Sequence, residues 1–143
     1  MSREENTELV RRFTEEWNRG NRAAVYAFYA EDFVDHMPQP GLPPGHEGLK
    51  QGLGRFFDAF PDCQNTLKLV LTDGDMVMKY GTLVGTHTGS FFGIPPTGKR
   101  VTINHLEIHR FKDGKIVEAW HLEDILGAIR QLGGLPVIES SRG

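Results

Sequence analysis

The chain has 143 residues, 38% of them hydrophobic and 24% charged, as expected of an ordinary domain that buries its own core. A formal net charge of -3 without a basic run excludes nucleic acid as an expected partner. The single cysteine, Cys63, excludes an internal disulfide and suits a reducing compartment. No apolar run approaches the ~20 residues that span a bilayer, and the polar start (Arg3, Glu4, Glu5) has no signal-peptide pattern. The expectation is one domain over 1–143, in the cytoplasm.

Leu9, Val10, Phe13 and Trp17 recur at helical spacing and predict an amphipathic helix over 3–19, ended by Gly20. Asn21 caps a second helix with Ala24, Val25, Phe28 and Tyr29 as its buried stripe. Phe33-Val34 reads as a short strand or loop. His36 precedes segment 38–45, whose prolines keep it out of regular pairing. Leu49, Leu53, Phe56, Phe57 and Phe60 predict a third helix over 46–59, and Pro61 stops it. From Gln64 the period becomes two, with strands starting at 64 and over 76–88, 99–111 and 115–122. Turns fall at Asp73-Gly74-Asp75 and Asp113-Gly114. The 89–98 loop, with Phe91, Phe92 and Ile94, is expected to cover a pocket mouth or a partner surface. Ile125, Leu126, Ile129 and Leu132 make a short closing helix, and 139–143 is expected to fray. Helices followed by antiparallel strands define an α+β domain. Three N-terminal helices on one face of a strongly curved, mainly antiparallel sheet, with a short C-terminal helix, would make a cone with a hollow.

The candidate chemistry centres on the last strand. Trp120, Leu122 and Asp124 lie two apart and share a face while the chain stays extended. A carboxylate in that apolar setting suits general acid/base work near neutral pH. Asp124 is also placed to cap the last helix. With a two-residue turn at Asp113-Gly114, His109 faces Glu118, Glu107 faces Trp120 and His105 faces Leu122, which puts His105 on the face of Asp124. A three-residue turn with a bulge slips the register by one and puts Asn104 and Leu106 there instead. His36 is the other candidate partner. A metal site from His105, His109, His121 and Glu118 is disfavoured, because neither register brings all four to one face. The sequence has no nucleophile elbow and no glycine loop for a phosphate or dinucleotide. Cofactor-free acid/base chemistry or plain binding remains.

Gly93-Ile94-Pro95-Pro96-Thr97-Gly98, Asp113-Gly114-Lys115-Ile116-Val117-Glu118-Ala119-Trp120, Asp124-Ile125-Leu126-Gly127 and Gln131-Leu132-Gly133 together resemble the SnoaL-like polyketide cyclase family. That family belongs to the nuclear transport factor two-like superfamily of cone-shaped α+β barrels, and the resemblance runs from the first helix to Gly133. It implies an intramolecular aldol condensation on a polycyclic ester, without metal or cofactor. It also implies an aspartate at Asp124 as acid/base, a histidine at His105 or His36 beside the carbonyl, and a homo-oligomer. The candidate walls for a small apolar substrate in a central pocket are Trp120, Trp17, Phe13, Tyr29, Phe57 and Leu122. Two alternatives stay open: a non-catalytic binding domain of this fold, and a hydrolase that holds a water against a second acid.

Overall fold

The computed structural model describes residues 2–134; the tail expected to fray, 139–143, lies outside them. The elements are α1 (Arg3–Asn18), α2 (Arg22–Ala27), β1 (Tyr29–Asp35), α3 (His46–Ala59), β2 (Gln64–Asp73), β3 (Met76–Thr86), β4 (Arg100–Lys112), β5 (Lys115–Glu123) and α4 (Ile125–Gln131). Ser2 and Glu5 close a capping box on α1, and Asn21 caps α2 through the Ala24 amide. The strands form one five-stranded sheet in the order β1-β5-β4-β3-β2. Three ladders are antiparallel, and β1 pairs parallel with β5. This is the expected α+β architecture.

Two local expectations are corrected. The segment around Phe33-Val34 is a seven-residue strand, and Tyr29 opens it rather than closing the stripe of α2. Parallel pairing is invisible in local pattern, because its partner, β5, is about 85 residues away in sequence. The second concerns the last hairpin, where the sequence leaves two registers open: the slipped one, with Asn104 and Leu106 on the face of Trp120 and Leu122, is found, but it arises from a bulge within β5 and not from a three-residue turn. Asp113 and Gly114 both have positive φ (51° and 75°), so the turn is the two-residue kind, with Lys112 opposite Lys115 and Phe111 opposite Ile116. Val117 is then an extra residue, and Arg110 pairs with Glu118. Beyond this bulge every pair is shifted by one: His109 faces Ala119, Glu107 faces His121 and His105 faces Glu123. Trp120 and Leu122 therefore lie on the outer face, with Leu122 60% exposed.

The helical side of the sheet holds the core. Val10, Phe13 and Trp17 of α1, Phe56, Phe57 and Phe60 around α3, and Ile103, Phe111, Ile116 and Ala119 of the sheet are buried together. Glycines set two close approaches. A Cβ on Gly81 would lie 2.3 Å from the Thr66 carbonyl oxygen, where β2 bulges between Leu67 and Leu69. A Cβ on Gly85 would meet Phe60 at 2.8 Å, so Gly85 lets the end of α3 rest on β3. Cys63 is buried, and burial pushes its thiol up to about 11, which suits packing rather than nucleophilic attack.

Candidate active site

The shifted register gathers ionisable groups on the inner face of the sheet. His121 of β5 is held from both sides: Nε2 lies 2.8 Å from Asp35 Oδ2, and Nδ1 lies 2.8 Å from Glu123 Oε2. Asp35 comes from β1, and its parallel pairing with Ala119 sets it beside His121. Both ring nitrogens face carboxylate oxygens, so the ring satisfies both only as the doubly protonated imidazolium. Burial alone lowers the His121 pKa, but hydrogen bonds to Asp35 and Glu123, together with their charges, outweigh it and raise the pKa to about 10. The other Asp35 oxygen accepts the Met37 N–H at 2.8 Å.

A second cluster adjoins the first. Lys79 of β3 is 1% exposed, with Nζ 3.2 Å from Glu107 Oε2 and 4.6 Å above the Phe13 ring. His109 Nε2 lies 3.4 Å from the same Glu107 oxygen, and His105 Nδ1 lies 3.7 Å from the other. His105 Nε2 reaches Asn65 Oδ1 at 2.9 Å. Burial pushes Glu107 up, yet Lys79 first, and then His109, His105 and His121, hold its carboxyl well below the usual range. Burial, and next the charge of Lys79, press His109 down to about 3, so this ring is neutral at physiological pH. Across β3, β4, β5 and β1 the ionisable groups run Lys79, Glu107, His121, Asp35, basic alternating with acidic.

A cavity of about 30 Å³ lies between this face and α3, room for roughly one water. Tyr29, Asp35, Glu107, His109, His121 and Glu123 line one side; Pro38, Gln39, Leu42, Gly48 and Gly52 line the other.

Among the residues singled out in the sequence, Tyr29 borders this cavity, and Phe13, Trp17 and Phe57 are core behind it. The Trp17 and Phe57 rings pack at 4.5 Å. His105 is buried beside Glu107 and also lines the open depression that Asp124 borders, with no hydrogen bond between the two among the described residues. His36 is on the outer face, stacked on Trp120 at 4.6 Å and 14° and bonded to Glu118 Oε1 at 3.0 Å. Asp124 is exposed and caps α4, its Oδ1 accepting the Gly127 N–H at 2.9 Å. That depression is lined by Tyr80, Asn104, His105, Leu122 and Glu123 as well as Asp124. Asp35, His121 and Glu123 went unremarked as a set in the sequence. The spacing of two between His121 and Glu123 was a usable signal, but only the bulge at Val117 tells which face they occupy. That bulge also brings His105, His109 and His121 to one face, leaving Glu118 outside; no group of three or more metal-ligating side chains among the described residues is arranged to hold an ion.

Comparison with known proteins agrees with this fold. Nogalonic acid methyl ester cyclase of Streptomyces nogalater is 38% identical over 119 residues, covering 82% of this chain and 89% of that protein. Aklanonic acid methyl ester cyclase DauD of Streptomyces sp. strain C5 is 29% identical over 132 residues, covering 88% and 80%. Among solved structures, AclR of Streptomyces galilaeus, a candidate hydroxylase, matches with a TM-score of 0.87 at 29% identity, over 97% of this chain and 87% of that one. TsrD of Streptomyces laurentii matches with a TM-score of 0.82 at 27% identity, over 94% and 99%. No described helix is long and apolar enough to cross a membrane. Residues 7–132 match the SnoaL-like polyketide cyclase family, and the chain belongs to it.

Proposed function

We propose that this chain is a cyclase that closes a ring on a fused-ring carbonyl ester by cofactor-free general acid/base catalysis, with Asp35, His121 and Glu123 as the acid/base set. One observation carries the reading: a partly buried imidazole held at both nitrogens by carboxylates at the wall of the cavity. In an aldol closure a base takes a proton from carbon beside a carbonyl, the new carbanion attacks a second carbonyl carbon, and the resulting alkoxide takes up a proton. Asp35 or Glu123 is the base. Once the carboxylate that serves as base is protonated it no longer accepts from His121, whose N–H, held protonated up to about pH 10, turns to the developing oxyanion and supplies the final proton. The proton then returns from the carboxylate to His121, so the set ends as it began. The substrate delocalises its own enolate over the rings, so the protein mainly positions the reacting carbons.

The family relatives that act on nogalonic and aklanonic acid methyl esters make those esters the first compounds to test. Ring closure is followed by chromatography with purified protein and its variants. His121→Gln is expected to lose about 10²- to 10⁴-fold in rate, the range of one acid/base group, with the fold retained. The rate is also expected to fall along an alkaline limb near pH 10, where His121 loses its proton.

Asp124 is the second reading, favoured by the open depression it borders. If Asp124→Asn abolishes closure while His121→Gln retains it, the acid/base is Asp124. If no ester is turned over, the chain is a binding member of the fold. The reading also takes the protein as a cytoplasmic homo-oligomer: Leu69, Leu71, Met78, Leu106 and Leu122 are exposed and apolar on β2 to β5, a face that suits a second copy. Sedimentation velocity checks this, and a monomer throughout the micromolar range would remove it.

A further inference from the structure

We propose that Gln39 determines which substrates reach His121, by latching segment 36–45 across the cavity in a closed form that excludes fused-ring compounds. This rests on the cavity being the substrate site, as inferred above. The cavity holds about 30 Å³, whereas sites for molecules of several rings measure roughly 300 Å³ or more. One wall has to move before such a substrate binds. The sheet wall is held by ladders on both sides of β4 and β5, interrupted at the Val117 bulge and between Tyr29 and Val34 of β1. The α3 wall is a fourteen-residue helix with its apolar side in the core. The third wall is Pro38, Gln39 and Leu42, from a proline-rich segment without regular pairing.

The bonds of that segment are few and localised. Both ends meet at Asp35: the Asp35 N–H donates to the Pro44 carbonyl at 2.7 Å, and the Met37 N–H donates to Asp35 Oδ1 at 2.8 Å. Between these ends, and among the described residues, Gln39 makes both of the side-chain hydrogen bonds that tie the segment to α3. Its Nε2 donates to the Gly52 carbonyl at 3.3 Å, and Arg55 Nη1 donates to its Oε1 at 2.7 Å. The helix is shaped to receive the segment. A Cβ at Gly48 would lie 1.9 Å from the Pro43 carbonyl oxygen, and one at Gly52 would lie 3.1 Å from Gln39 Nε2 and 3.5 Å from Leu42 Cδ1. Two glycines one turn apart weaken a helix relative to alanine, and here they let the segment lie flush against it. Releasing Gln39 frees the middle of the segment while its ends stay bonded at Asp35. The carboxylate that holds His121 thus keeps its place as the mouth opens. Ring count is selected at this latch, because a two-ring compound needs a smaller opening than a three-ring one.

The test uses the full chain with Gln39→Ala and Gln39→Glu, which keeps an acceptor for Arg55. Amide hydrogen exchange is read at Leu42, whose N–H bonds the Gln39 carbonyl, against Val10 and Phe13 of α1 as internal reference. Stopped-flow association is measured with menadione, a two-ring quinone, and with alizarin, a three-ring quinone. Wild type is expected to bind alizarin at a rate that levels off with concentration, because opening limits it. In Gln39→Ala that ceiling and the Leu42 exchange rate rise tenfold or more, with α1 unchanged and menadione less affected; Gln39→Glu falls between. Unchanged exchange and an unchanged alizarin ceiling in Gln39→Ala overturn the proposal. Faster exchange with no alizarin binding by any variant keeps the latch and removes the fused-ring reading. Unchanged exchange with alizarin binding equally well to all variants does the reverse.

Discussion

Lys79→Met is the most direct probe of how the buried charges are balanced. The ammonium is almost wholly buried and sits 3.2 Å from Glu107 Oε2. At that separation and an effective dielectric of about 20, the attraction is about 5 kcal/mol. Methionine fills a similar volume and keeps contact with the Phe13 ring, so the substitution mainly deletes the charge. Glu107, with 22% of its side chain exposed, is then a partly buried carboxylate without its nearest cation, and breaking a buried pair costs about 3 to 5 kcal/mol, so about 2 to 4 kcal/mol is expected here. Urea unfolding at pH 7 measures the loss. The double variant Lys79→Met, Glu107→Leu is expected to recover most of it, because removing both partners leaves no uncompensated charge. The pH dependence gives a second readout. In wild type the Glu107 pKa is lowered on folding, so the stability it contributes is present above about 4.5 and is lost as pH falls. Without Lys79, burial dominates and Glu107 resists ionising, so the deficit relative to wild type shrinks as pH falls from 7 toward 4. A loss below about 1 kcal/mol at pH 7, or a double variant as unstable as the sum of its parts, would refute this account of the buried charges.

Two further outcomes follow from the same geometry. His109 is held neutral in the fold down to about pH 3 but takes a proton near 6.5 when unfolded, so it removes stability as pH falls from about 6.5 toward 3. His109→Phe, which keeps an aromatic ring among Phe13, Tyr29 and Phe111, is expected to flatten the stability loss between pH 7 and 4.5 in urea titrations, and an unchanged slope would count against a neutral buried His109. At the α4 cap, Asp124→Ala is expected to cost about 1 kcal/mol and Asp124→Asn only a few tenths, since asparagine caps nearly as well. Thermal unfolding checks the pair, and equal losses in the two variants would show that Asp124 matters for something other than the cap.

How far the sequence alone reaches is clearest in the last hairpin. Its strands, its two-residue turn and the closing helix follow from local signals: alternation, Asp113-Gly114 and a capping aspartate before an apolar stripe. The helices α1 and α3 likewise announce themselves by their 3.6-residue period, because each buries one stripe against the sheet. The candidate site is different in kind, since it depends on which of two faces each residue of β5 presents. Arg110 and Glu118, bonded at 2.6 Å on the outer side, are matched across the strands only if Val117 is extra. With the bulge in place, Ile116 and Ala119 both turn inward although they are three apart, and His121 and Glu123 follow them toward Asp35. Without it, Trp120 and Leu122 would fill the core and the charged residues would face water, an arrangement that alternation alone equally allows. Burial of Lys79, with Glu107 partly buried beside it, decides between them. A basic and an acidic side chain already inside, with neutral His105 and His109 around them, make a polar floor that accepts His121 and its carboxylates and would leave Trp120 and Leu122 against charge. One inserted residue in a nine-residue strand thereby separates a charged cavity from an apolar outer face, and no property of Val117 itself marks it as that residue.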